Sequence, residues 1–431
     1  MATARIERFP LAAPECRIAI AGFGTVGHAV ARLLYSRRDD FPLRLTHIFN
    51  RNVGRKKAGW IGRDVVWTED LQPMLDSGVD VIVELMGGLE PAHQLVRAAL
   101  QSGKSVVTAN KQLIARFGTE LLQLANDNGQ YLSFGAAVAG GVPVLSALQD
   151  GLGGDHLIQL RGILNGTCNY ILTRIEQGGI SFSEALSEAQ QAGFAEADPT
   201  DDIDGHDAAA KLAILARVGL KIGVTPDQVL CGSIRNLAAI DFEYARELGC
   251  TIRQVSTARL HGGRVYLAVE PSLVPLTSPF ASVVGSQNLV VSTGEFGGET
   301  TFGGHGAGGN PTAVAVVSDL LQTARNCGCR GRTVNHADID GCEITRDFEA
   351  PQYLRFVVRD QPGIIAQIAG VLAQHHINLD AILQRPGYDK CALPFVITLE
   401  ACKPASLEAA LHEIANLDFL AEAPLRMPIM N

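Results

Sequence analysis

Residues 16–34 read CRIAIAGFGTVGHAVARLL, and this stretch decides the fold of the first part of the chain. An apolar run of β-strand character leads into a glycine-rich turn, and an amphipathic helical pattern follows. Gly22, Gly24 and Gly27 give the spacing G-x-G-x-x-G, which suits a tight turn whose backbone approaches a pyrophosphate at a helix N-terminus. The spacing alone is a weak signal. Its place in a first βα unit favours a dinucleotide site over a structural glycine turn.

Further strand patterns alternate with helix-length segments over the first 140 residues or so. The strand-like runs are LRLTHIF (43–49), VDVIVELM (79–86), SVVTA (105–109) and YLSFGAAV (131–138). This alternation predicts a Rossmann-like, doubly wound parallel sheet and an α/β fold class. From about residue 145 the pattern changes and predicts an α+β domain with an antiparallel sheet. From about residue 351 the order βαββα, with a further strand at the end, predicts a small independent module.

The chain's 431 residues suit two or three domains. We expect a flexible N-terminus at 1–15, an NAD(P)-binding domain at 16–145 and an α+β domain at 146–310, whose role in substrate binding and dimerisation is implied by the family resemblance given below. A return helix to the nucleotide domain is expected at 311–346, and the C-terminal module at 351–431, whose regulatory role the same resemblance implies.

Composition excludes several classes of protein. The formal net charge of −9 argues against an extended nucleic-acid footprint, which needs a clustered basic surface. No apolar run is long enough to span a membrane, and the start MATARIERFPLAAPE lacks a secretory core, so we expect a cytoplasmic protein. Cys327 and Cys329 are separated by one residue rather than two, so reduced thiols are favoured over a metal site.

Cofactor choice depends on the end of the second predicted strand, where an acidic residue would bind the adenine ribose and select NAD. Here LTHIF runs into a polar and basic segment that comprises Asn50, Arg51, Asn52, Arg55, Lys56 and Lys57. Because no carboxylate repels a 2′-phosphate and several cations attract one, we expect NADP(H) to be preferred over NAD(H). The alternative is a solvated basic loop.

The stretch 196–211, EADPTDDIDGHDAAAK, places six carboxylates within twelve residues and ends on a lysine. Asp204 is expected to cap a helix, with Asp207 and Lys211 four residues apart on one face. Taken alone, a cap and an ion pair explain the pattern. Lys111 in VVTANK adds a second lysine after a strand's carboxyl end, where ligands gather. A lysine ammonium held by carboxylates can stabilise or protonate the alkoxide formed when a carbonyl is reduced.

Several motifs together resemble the homoserine dehydrogenase family over roughly residues 16–346. They are GFGTVG (22–27), VIVELMGG (81–88), TANK (108–111), AGGVP (139–143), GILNGTCNYIL (162–172), EADPTDDIDGHDAAAKLAILA (196–216) and GAGGNPTA (306–313). The tail from Tyr353 on resembles an ACT regulatory domain, with DQPGIIAQIAGVLAQHHINL (360–379) as its first loop and helix. The family interconverts L-aspartate 4-semialdehyde and L-homoserine with NAD(P), on the branch toward threonine, methionine and isoleucine.

The resemblance implies a role for each matching residue. Lys111 and Lys211 would be the catalytic lysines, Asp202 and Asp207 would orient Lys211 and a substrate hydroxyl or water, and Glu196 would hold the substrate amino group. The remaining substrate contacts would come from Gly166, Thr167 and Asn169. The cofactor contacts would come from Gly22, Phe23, Gly24, Thr25, Val26, Gly27, Asn50, Arg51, Thr108, Asn110, Lys111 and Gly306.

For some of these residues a plain structural role is as reasonable. Thr167, Cys168 and Asn169 suit a turn and helix cap about as well as a substrate contact. His206 is expected to be a solvated first-turn residue rather than a general base. Cys168 has no histidine nearby in sequence, so nucleophilic catalysis lacks a partner.

One departure from the family concerns a monovalent cation. Where the family usually has glutamate before ASVAGG, this chain has Gly135 in FGAAVAGG. Backbone carbonyls at Val138 and Gly140 remain as ligands for sodium or potassium. Without the glutamate charge we expect the site to be weak or absent.

The ACT resemblance implies feedback control by an amino-acid effector, with L-threonine expected. Such modules usually pair across subunits, so we expect a homodimer or homotetramer. Two alternatives are another dehydrogenase of an amino-acid semialdehyde and a catalytically vestigial sensor of NADP and an amino acid. Retention of both lysines and the carboxylates argues against the sensor.

Overall fold

A six-stranded sheet and its helices form the first part of the chain. The computed structural model describes residues 15–306, 308–326 and 342–430, so residues 1–14 of the expected flexible N-terminus, and the pair Cys327 and Cys329, lie outside the described residues. The elements are β1 (Cys16–Ala21), α1 (Thr25–Ser36), β2 (Leu43–Phe49), α2 (Val53–Lys56), β3 (Val66–Thr68), α3 (Gln72–Asp76), β4 (Val81–Glu84), α4 (Ala92–Gln101), β5 (Ser105–Thr108), α5 (Lys111–Asp127), β6 (Leu132–Ser133) and α6 (Val144–Ser146).

The strand order in this sheet is β3-β2-β1-β4-β5-β6, and all neighbouring strands are parallel. Strands β4 and β5 are buried throughout, because helices cover both faces of a doubly wound sheet and only continuous apolar runs suit its centre. The Rossmann-like sheet predicted from the sequence is therefore confirmed.

A second sheet follows, together with the helices that carry the acidic stretch. The elements are β7 (Leu157–Ile163), α7 (Gly166–Gly178), α8 (Phe182–Gln191), α9 (Thr200–Ile203), α10 (His206–Leu215), β8 (Leu230–Cys231), α11 (Ala239–Glu247), β9 (Cys250–His261), β10 (Arg264–Pro275), β11 (Gln287–Gly294), β12 (Gly298–His305), α12 (Gly309–Asn326) and β13 (Glu343–Thr345). The order is β12-β11-β7-β9-β10-β13, with β8 also on β10. The expected antiparallel sheet is mixed, because β8 and β13 join β10 in parallel.

The C-terminal module has the predicted βαββα order and a final strand. Its elements are β14 (Ala350–Val358), α13 (Ile364–Gln374), β15 (Leu379–Leu383), β16 (Leu393–Cys402), α14 (Pro404–Ile414) and β17 (Leu425–Pro428). The strands lie in the order β15-β16-β14-β17, and every neighbouring pair is antiparallel. This arrangement confirms the ACT-like fold.

The described residues divide into two compact units. The first contains residues 15–156, Ala213–Pro226, 302–306 and 308–326, and the second contains Leu157–Leu212, Asp227–Thr301 and 342–430. Helix α12 returns to the first unit, where it packs on α1 and adds Val316 and Leu320 to the sheet core. Within the described ranges, no helix is both long and apolar enough to cross a membrane.

The ACT-like module shares a core with the second sheet's helices, so the expectation that it is independent is wrong. Tyr353 and Val396 are buried in the same cluster as Phe242 of α11. The Tyr353 hydroxyl donates to Asp241 Oδ1 at 2.9 Å, and the guanidinium of Arg355 lies 3.2 Å from Asp241 Oδ2. Strand periodicity shows that a sheet face is apolar but does not identify the element that covers it.

Candidate active site

The glycine-rich turn after β1 has two positions that its own packing requires to be glycine. Gly22 has φ +107°, and a Cβ there would lie 2.5 Å from the carbonyl oxygen of Leu85. A Cβ on Gly27 would lie 2.1 Å from the Gly22 carbonyl oxygen. A Cβ on Gly24 would meet nothing within 4 Å. The turn is therefore tight at its first and third glycines and open at its second, as a pyrophosphate at the start of α1 requires.

The other residues predicted around this turn differ in what they offer a ligand. Phe23 is buried and packs edge-on against Trp67, so its backbone rather than its side chain is available. Thr25 is exposed at the first position of α1. The loop with Gly306 leads into α12, and a Cβ on Gly309 would lie 3.0 Å from the Thr25 methyl carbon. The start of α12 therefore lies beside the start of α1.

The basic loop after β2 contains a carboxylate that the sequence analysis did not anticipate. Asn50 Oδ1 accepts a hydrogen bond from the backbone N–H of Asn52, and Arg51 is exposed. Strand β2 ends without an acidic residue, as expected. However, Glu69, which follows β3, accepts a hydrogen bond from the backbone N–H of Val53 at 2.8 Å. One negative charge therefore lies at this loop, engaged by the first turn of α2.

Glu84 organises the segment between β5 and α5. This fully buried residue accepts a hydrogen bond from Thr108 Oγ1 at 2.6 Å and another from the Met86 N–H at 2.8 Å. Thr108 Oγ1 in turn accepts from the Asn110 N–H at 2.9 Å. Burial raises the pKa of Glu84, while these hydrogen bonds favour its ionised form. The carboxyl group therefore holds together two loops at the carboxyl ends of neighbouring strands.

Lys111 is the first residue of α5, where the strand pattern placed it. Asn110 caps this helix, because its Oδ1 accepts from the Leu113 N–H at 3.2 Å and its Nδ2 donates to the Gly88 carbonyl at 2.7 Å. Both side chains predicted to flank the cofactor, Thr108 and Asn110, are thus fixed by hydrogen bonds. Lys111 follows directly at the edge where ligands of parallel sheets bind.

The turn Gly135–Ala137 faces a buried carboxyl group from α12. Asp319 Oδ2 accepts a hydrogen bond from the Gly135 N–H at 2.8 Å, and a Cβ on Gly135 would lie 2.7 Å from Asp319 Oδ1. Burial raises the pKa of Asp319 to about 7. The two carbonyl positions predicted to bind a cation, Val138 and Gly140, follow this turn. A carboxyl group with a raised pKa therefore faces Gly135, the position at which the family resemblance implied a glutamate.

In the second unit, Lys211 is held by two hydrogen bonds. Its Nζ donates to Asp207 Oδ2 at 2.7 Å and to the Leu164 carbonyl at 2.8 Å. Asn165 Nδ2 donates to Asp207 Oδ2 at 2.9 Å and to Asp202 Oδ1 at 2.7 Å. The Lys211 side chain is 16% exposed and that of Asp207 6%, so the pair is largely desolvated rather than a surface ion pair. The four side chains Lys211, Asp207, Asp202 and Asn165 form what we call the lysine cluster.

Asp204 has a different role from the one predicted. It follows α9, and its carboxylate binds Arg235 at 2.9 Å and accepts from the Ser233 hydroxyl at 2.7 Å. The residue before α10 is Gly205, whose φ is +88° and whose carbonyl accepts from the Ala209 N–H. The prediction of an Asp204 helix cap is therefore wrong, because its carboxylate is paired with Arg235, which lies 31 residues away in sequence.

The residues predicted to bind substrate lie in varied environments. Gly166 is the first residue of α7, where a Cβ would lie 2.9 Å from the Ser286 carbonyl oxygen. Thr167 Oγ1 donates to the Phe194 carbonyl at 2.8 Å, and Glu196 is exposed. Asn169 is buried, and its Nδ2 donates to the Gly285 carbonyl. The Asn169 amide nitrogen is thus engaged by backbone carbonyls, its Oδ1 has no hydrogen-bond partner among the described residues, and Glu196 is accessible to a ligand.

Neither a nucleophilic thiol nor a metal cluster emerges around the lysine cluster. Cys168 Sγ donates to the Asp202 carbonyl at 3.0 Å, and burial raises the pKa of this thiol, as do the nearby charges of Asp202 and Asp207. His206 is exposed at the start of α10, as predicted. Over the residues that the structure describes, no group of three or more His, Cys, Asp or Glu could hold a metal ion. The side chains of the lysine cluster supply ammonium, carboxylate and amide groups.

Together these features indicate a class: a chain that contains both a dinucleotide-binding parallel sheet and a desolvated lysine held by carboxylates is typical of NAD(P)-dependent oxidoreductases. Comparison with known proteins narrows the class. Family models match as follows: "Homoserine dehydrogenase, NAD binding domain" at residues 22–135, "Homoserine dehydrogenase" at 143–321, and "ACT domain" at 352–419. The chain belongs to the homoserine dehydrogenase family.

Individual relatives agree over most of their length. Homoserine dehydrogenase of Bacillus subtilis is 36% identical over 417 residues, which cover 94% of this chain and 96% of the relative. The crystal structure of a homoserine dehydrogenase from Thiobacillus denitrificans superposes with a TM-score of 0.90 at 33% identity, covering 96% of this chain and 98% of that one. A hyperthermophilic archaeal homoserine dehydrogenase solved in complex with NADPH has a TM-score of 0.63 at 28% identity, covering 72% of this chain and 98% of that one.

Besides Glu69, sequence reasoning missed three residues of these sites. Glu84 lies inside the quoted motif VIVELMGG, and a carboxylate within an otherwise apolar, buried strand was the signal for a partner. Asn165 precedes α7 in the sequence LNGTCNY, and asparagine before a helical pattern was the signal for a cap. Asp319 lies among apolar residues of α12, yet its partner at Gly135 is too distant in sequence to be inferred.

Proposed function

We propose that this protein catalyses the reversible reduction of L-aspartate 4-semialdehyde to L-homoserine, with NADP(H) preferred over NAD(H). The bound nicotinamide supplies the hydride in one direction and accepts it in the other. The protein's own groups manage the charge on the substrate oxygen and the position of the amino acid. The product belongs to the branch that leads to threonine, methionine and isoleucine.

The observation that carries this proposal is the hydrogen bonding of Lys211. A lysine ammonium has three N–H donors. Two of them go to Asp207 Oδ2 and the Leu164 carbonyl, and the structure's described residues offer no third acceptor within hydrogen-bond distance. We assign the third N–H to the substrate oxygen, which Lys211 protonates as the aldehyde is reduced and deprotonates as the alcohol is oxidised.

The other predicted residues take supporting roles in the proposal. Lys111 is the second catalytic lysine, and Asp202 shares the Asn165 amide with Asp207 and orients the lysine cluster. Glu196 binds the substrate ammonium, for which its exposed carboxylate is suited. Thr167 and Gly166, at the start of α7, shape the substrate site in this proposal. Asn169 is not included, because its Nδ2 already donates to the Val283 and Gly285 carbonyls.

The cofactor assignment is argued from the turns of the first unit. Gly22, Gly24 and Gly27 admit the pyrophosphate, Thr108 and Asn110 flank the nicotinamide, and the loop with Gly306 covers it. Support for NADP(H) comes from the exposed Arg51 and from the lack of an acidic residue ending β2, and one relative is an NADPH complex. Glu69 weakens this preference only partly, because its carboxylate is engaged by a backbone amide.

A monovalent cation, if bound, is expected at the carbonyls of Val138 and Gly140. The nearby carboxyl group of Asp319 is half protonated near neutral pH, because burial raises its pKa to about 7. We therefore propose weak binding of sodium or potassium. Strong activation at low millimolar salt would contradict this.

We further propose feedback control by L-threonine through the ACT-like domain, in a homodimer or homotetramer. A domain of this kind fits an amino-acid ligand, and its shared core with α11 provides a physical link to the second sheet. Sedimentation at several protein concentrations measures the assembly, and a monomer throughout would contradict that part.

A steady-state assay tests the whole proposal. L-Homoserine is oxidised with NADP⁺ and with NAD⁺, with and without L-threonine, beside L-glutamate, L-saccharopine and malate as competing substrates. We expect turnover of L-homoserine alone, faster at low concentrations of NADP⁺, and inhibition by L-threonine. Equal or greater turnover of another substrate would refute the assignment.

A further inference from the structure

The second unit contains a cavity of about 280 Å³ away from the lysine cluster. Its walls come from β9 and β10 of the mixed sheet and from β14, β17 and α14 of the ACT-like module, and the segment 346–351 also lines it. The volume is below that of pockets for drug-sized ligands and suits a small metabolite. Any ligand here touches both sheets at once.

One wall carries the carboxylate of Glu270, whose second oxygen accepts no hydrogen bond from the described residues. Glu270 Oε1 accepts a hydrogen bond from the Tyr266 hydroxyl at 2.9 Å, and the Tyr266 ring stacks on Phe348 with centroids 4.7 Å apart. Burial raises the pKa of Glu270, while the Tyr266 hydrogen bond and the charge of Arg426 favour its ionised form, as a ligand ammonium group would too. Its second oxygen is therefore suited to a ligand ammonium group.

Arginines supply the opposite charge around the same cavity. Arg161 is paired with Glu299, and Arg426 donates to Gln352. Arg259 lies over the ring of Phe348 at 5.0 Å. In the described parts of the chain, neither Arg259 nor Arg346 has a carboxylate within ion-pair distance. These two guanidinium groups can therefore bind a ligand carboxylate.

We propose that this cavity binds a small zwitterionic α-amino acid of the size of L-threonine, with its ammonium group on Glu270 and its carboxylate on Arg259 and Arg346. The hydroxyls of Thr257 and Ser272, which also line the cavity, suit a polar side chain. A simple anion would face Glu270, and a simple cation would face the arginines, so both charges are needed. The role of this cavity as an effector site depends on the proposed feedback control by L-threonine.

The test is calorimetric titration of the full-length protein with L-threonine and L-serine. Two analogues each lack one charge: 3-hydroxybutyrate has no ammonium group, and 1-aminopropan-2-ol has no carboxylate. We expect an amino acid to bind and both analogues to bind at least tenfold more weakly, since hydrogen bonds to charged groups are worth on the order of 1.5–3 kcal/mol. Equal binding of either analogue, or no binding of either amino acid, overturns the proposal.

Variants locate the site. Glu270→Gln keeps the shape of the side chain and removes its charge, so Kd should rise on the order of tenfold to a hundredfold. Arg346→Gln, at an exposed position where folding is not at risk, should give a similar loss. Glu295→Gln makes the same change as Glu270→Gln at an exposed residue that does not line the cavity, and it should leave Kd unchanged.

Turnover of L-homoserine separates failure of this site from failure of the proposed function. Threonine binding that depends on Glu270, without inhibition of turnover, supports the site and overturns only the feedback part. Inhibition by threonine with an unchanged Kd in both Glu270→Gln and Arg346→Gln overturns the site and leaves the feedback proposal standing.

Discussion

Replacing Asp319 by asparagine should stabilise the protein in a pH-dependent way. Asparagine resembles the protonated carboxylic acid, so its oxygen can still accept from the Gly135 N–H. Burial raises the pKa of Asp319 from 3.8 to about 7 in the folded protein. At about 1.4 kcal/mol for each tenfold change in acidity, ionising this group in the folded state costs at most about 4 kcal/mol.

The unfolding free energy changes with pH because the folded protein binds the Asp319 proton more tightly than the unfolded chain does. Between pH 4 and pH 7 the unfolded chain ionises Asp319 while the folded protein keeps it protonated. Stability from this group is therefore fully present below pH 4, falls as pH rises and levels off above about pH 7 to 8. The Asp319→Asn variant has no such dependence. Its stability relative to the native protein should rise between pH 4 and pH 7 and then stay constant.

Urea unfolding at pH 5 and pH 8.5, at one protein concentration, measures the effect. We expect Asp319→Asn to exceed the native protein by a few kcal/mol more at pH 8.5 than at pH 5. The exposed Asp39→Asn variant is the matched control and should show no such difference. A stability difference that is the same at both pH values would refute the argument from burial.

Three further substitutions test the other assignments. Glu84→Gln removes a carboxylate that accepts a hydrogen bond from Thr108. The kcat/KM for L-homoserine should fall on the order of tenfold or more, while the circular dichroism spectrum stays unchanged. A near-normal kcat/KM would contradict a positioning role for Glu84. Arg51→Ala should raise KM for NADP⁺ about tenfold and leave KM for NAD⁺ unchanged. A native protein that prefers NAD⁺ would contradict the proposed role of Arg51. Asp204→Asn should cost less than about 1 kcal/mol in thermal unfolding and leave turnover normal, because its ion pair is partly exposed, with side-chain exposures of 27% for Asp204 and 43% for Arg235. A large loss of turnover would instead indicate that Asp204 acts in the active site.

The parallel sheet was predictable because its signals are local. A glycine-rich turn between a strand and a helix at 16–34, followed by alternating apolar runs, leaves few topologies open. The order of strands and helices in the C-terminal module could likewise be predicted from the hydrophobic periodicity. Lys111 could be placed at the carboxyl edge for the same reason, since it follows a strand directly.

What the sequence could not supply depends on partners that are distant along the chain. The pairing of Asp204 with Arg235 decides against a helix cap, and nothing in the acidic stretch indicates that arginine. Similarly, the burial of Tyr353 against Asp241 joins the ACT-like module to α11, although the two segments are over a hundred residues apart. Local sequence patterns predict the helices and strands. The roles of individual side chains depend on pairs between residues that are distant in sequence.

The proton-transfer role of Lys211 is the central claim, and the turnover number of Lys211→Met tests it most directly. The side chain of methionine keeps much of the packing volume and removes the ammonium group that Asp207 holds. Lys390→Met, at an 84% exposed side chain, is the matched control. We predict that kcat for L-homoserine oxidation falls by about a hundredfold or more in Lys211→Met and stays normal in Lys390→Met. A Lys211→Met enzyme with near-native kcat would contradict the account.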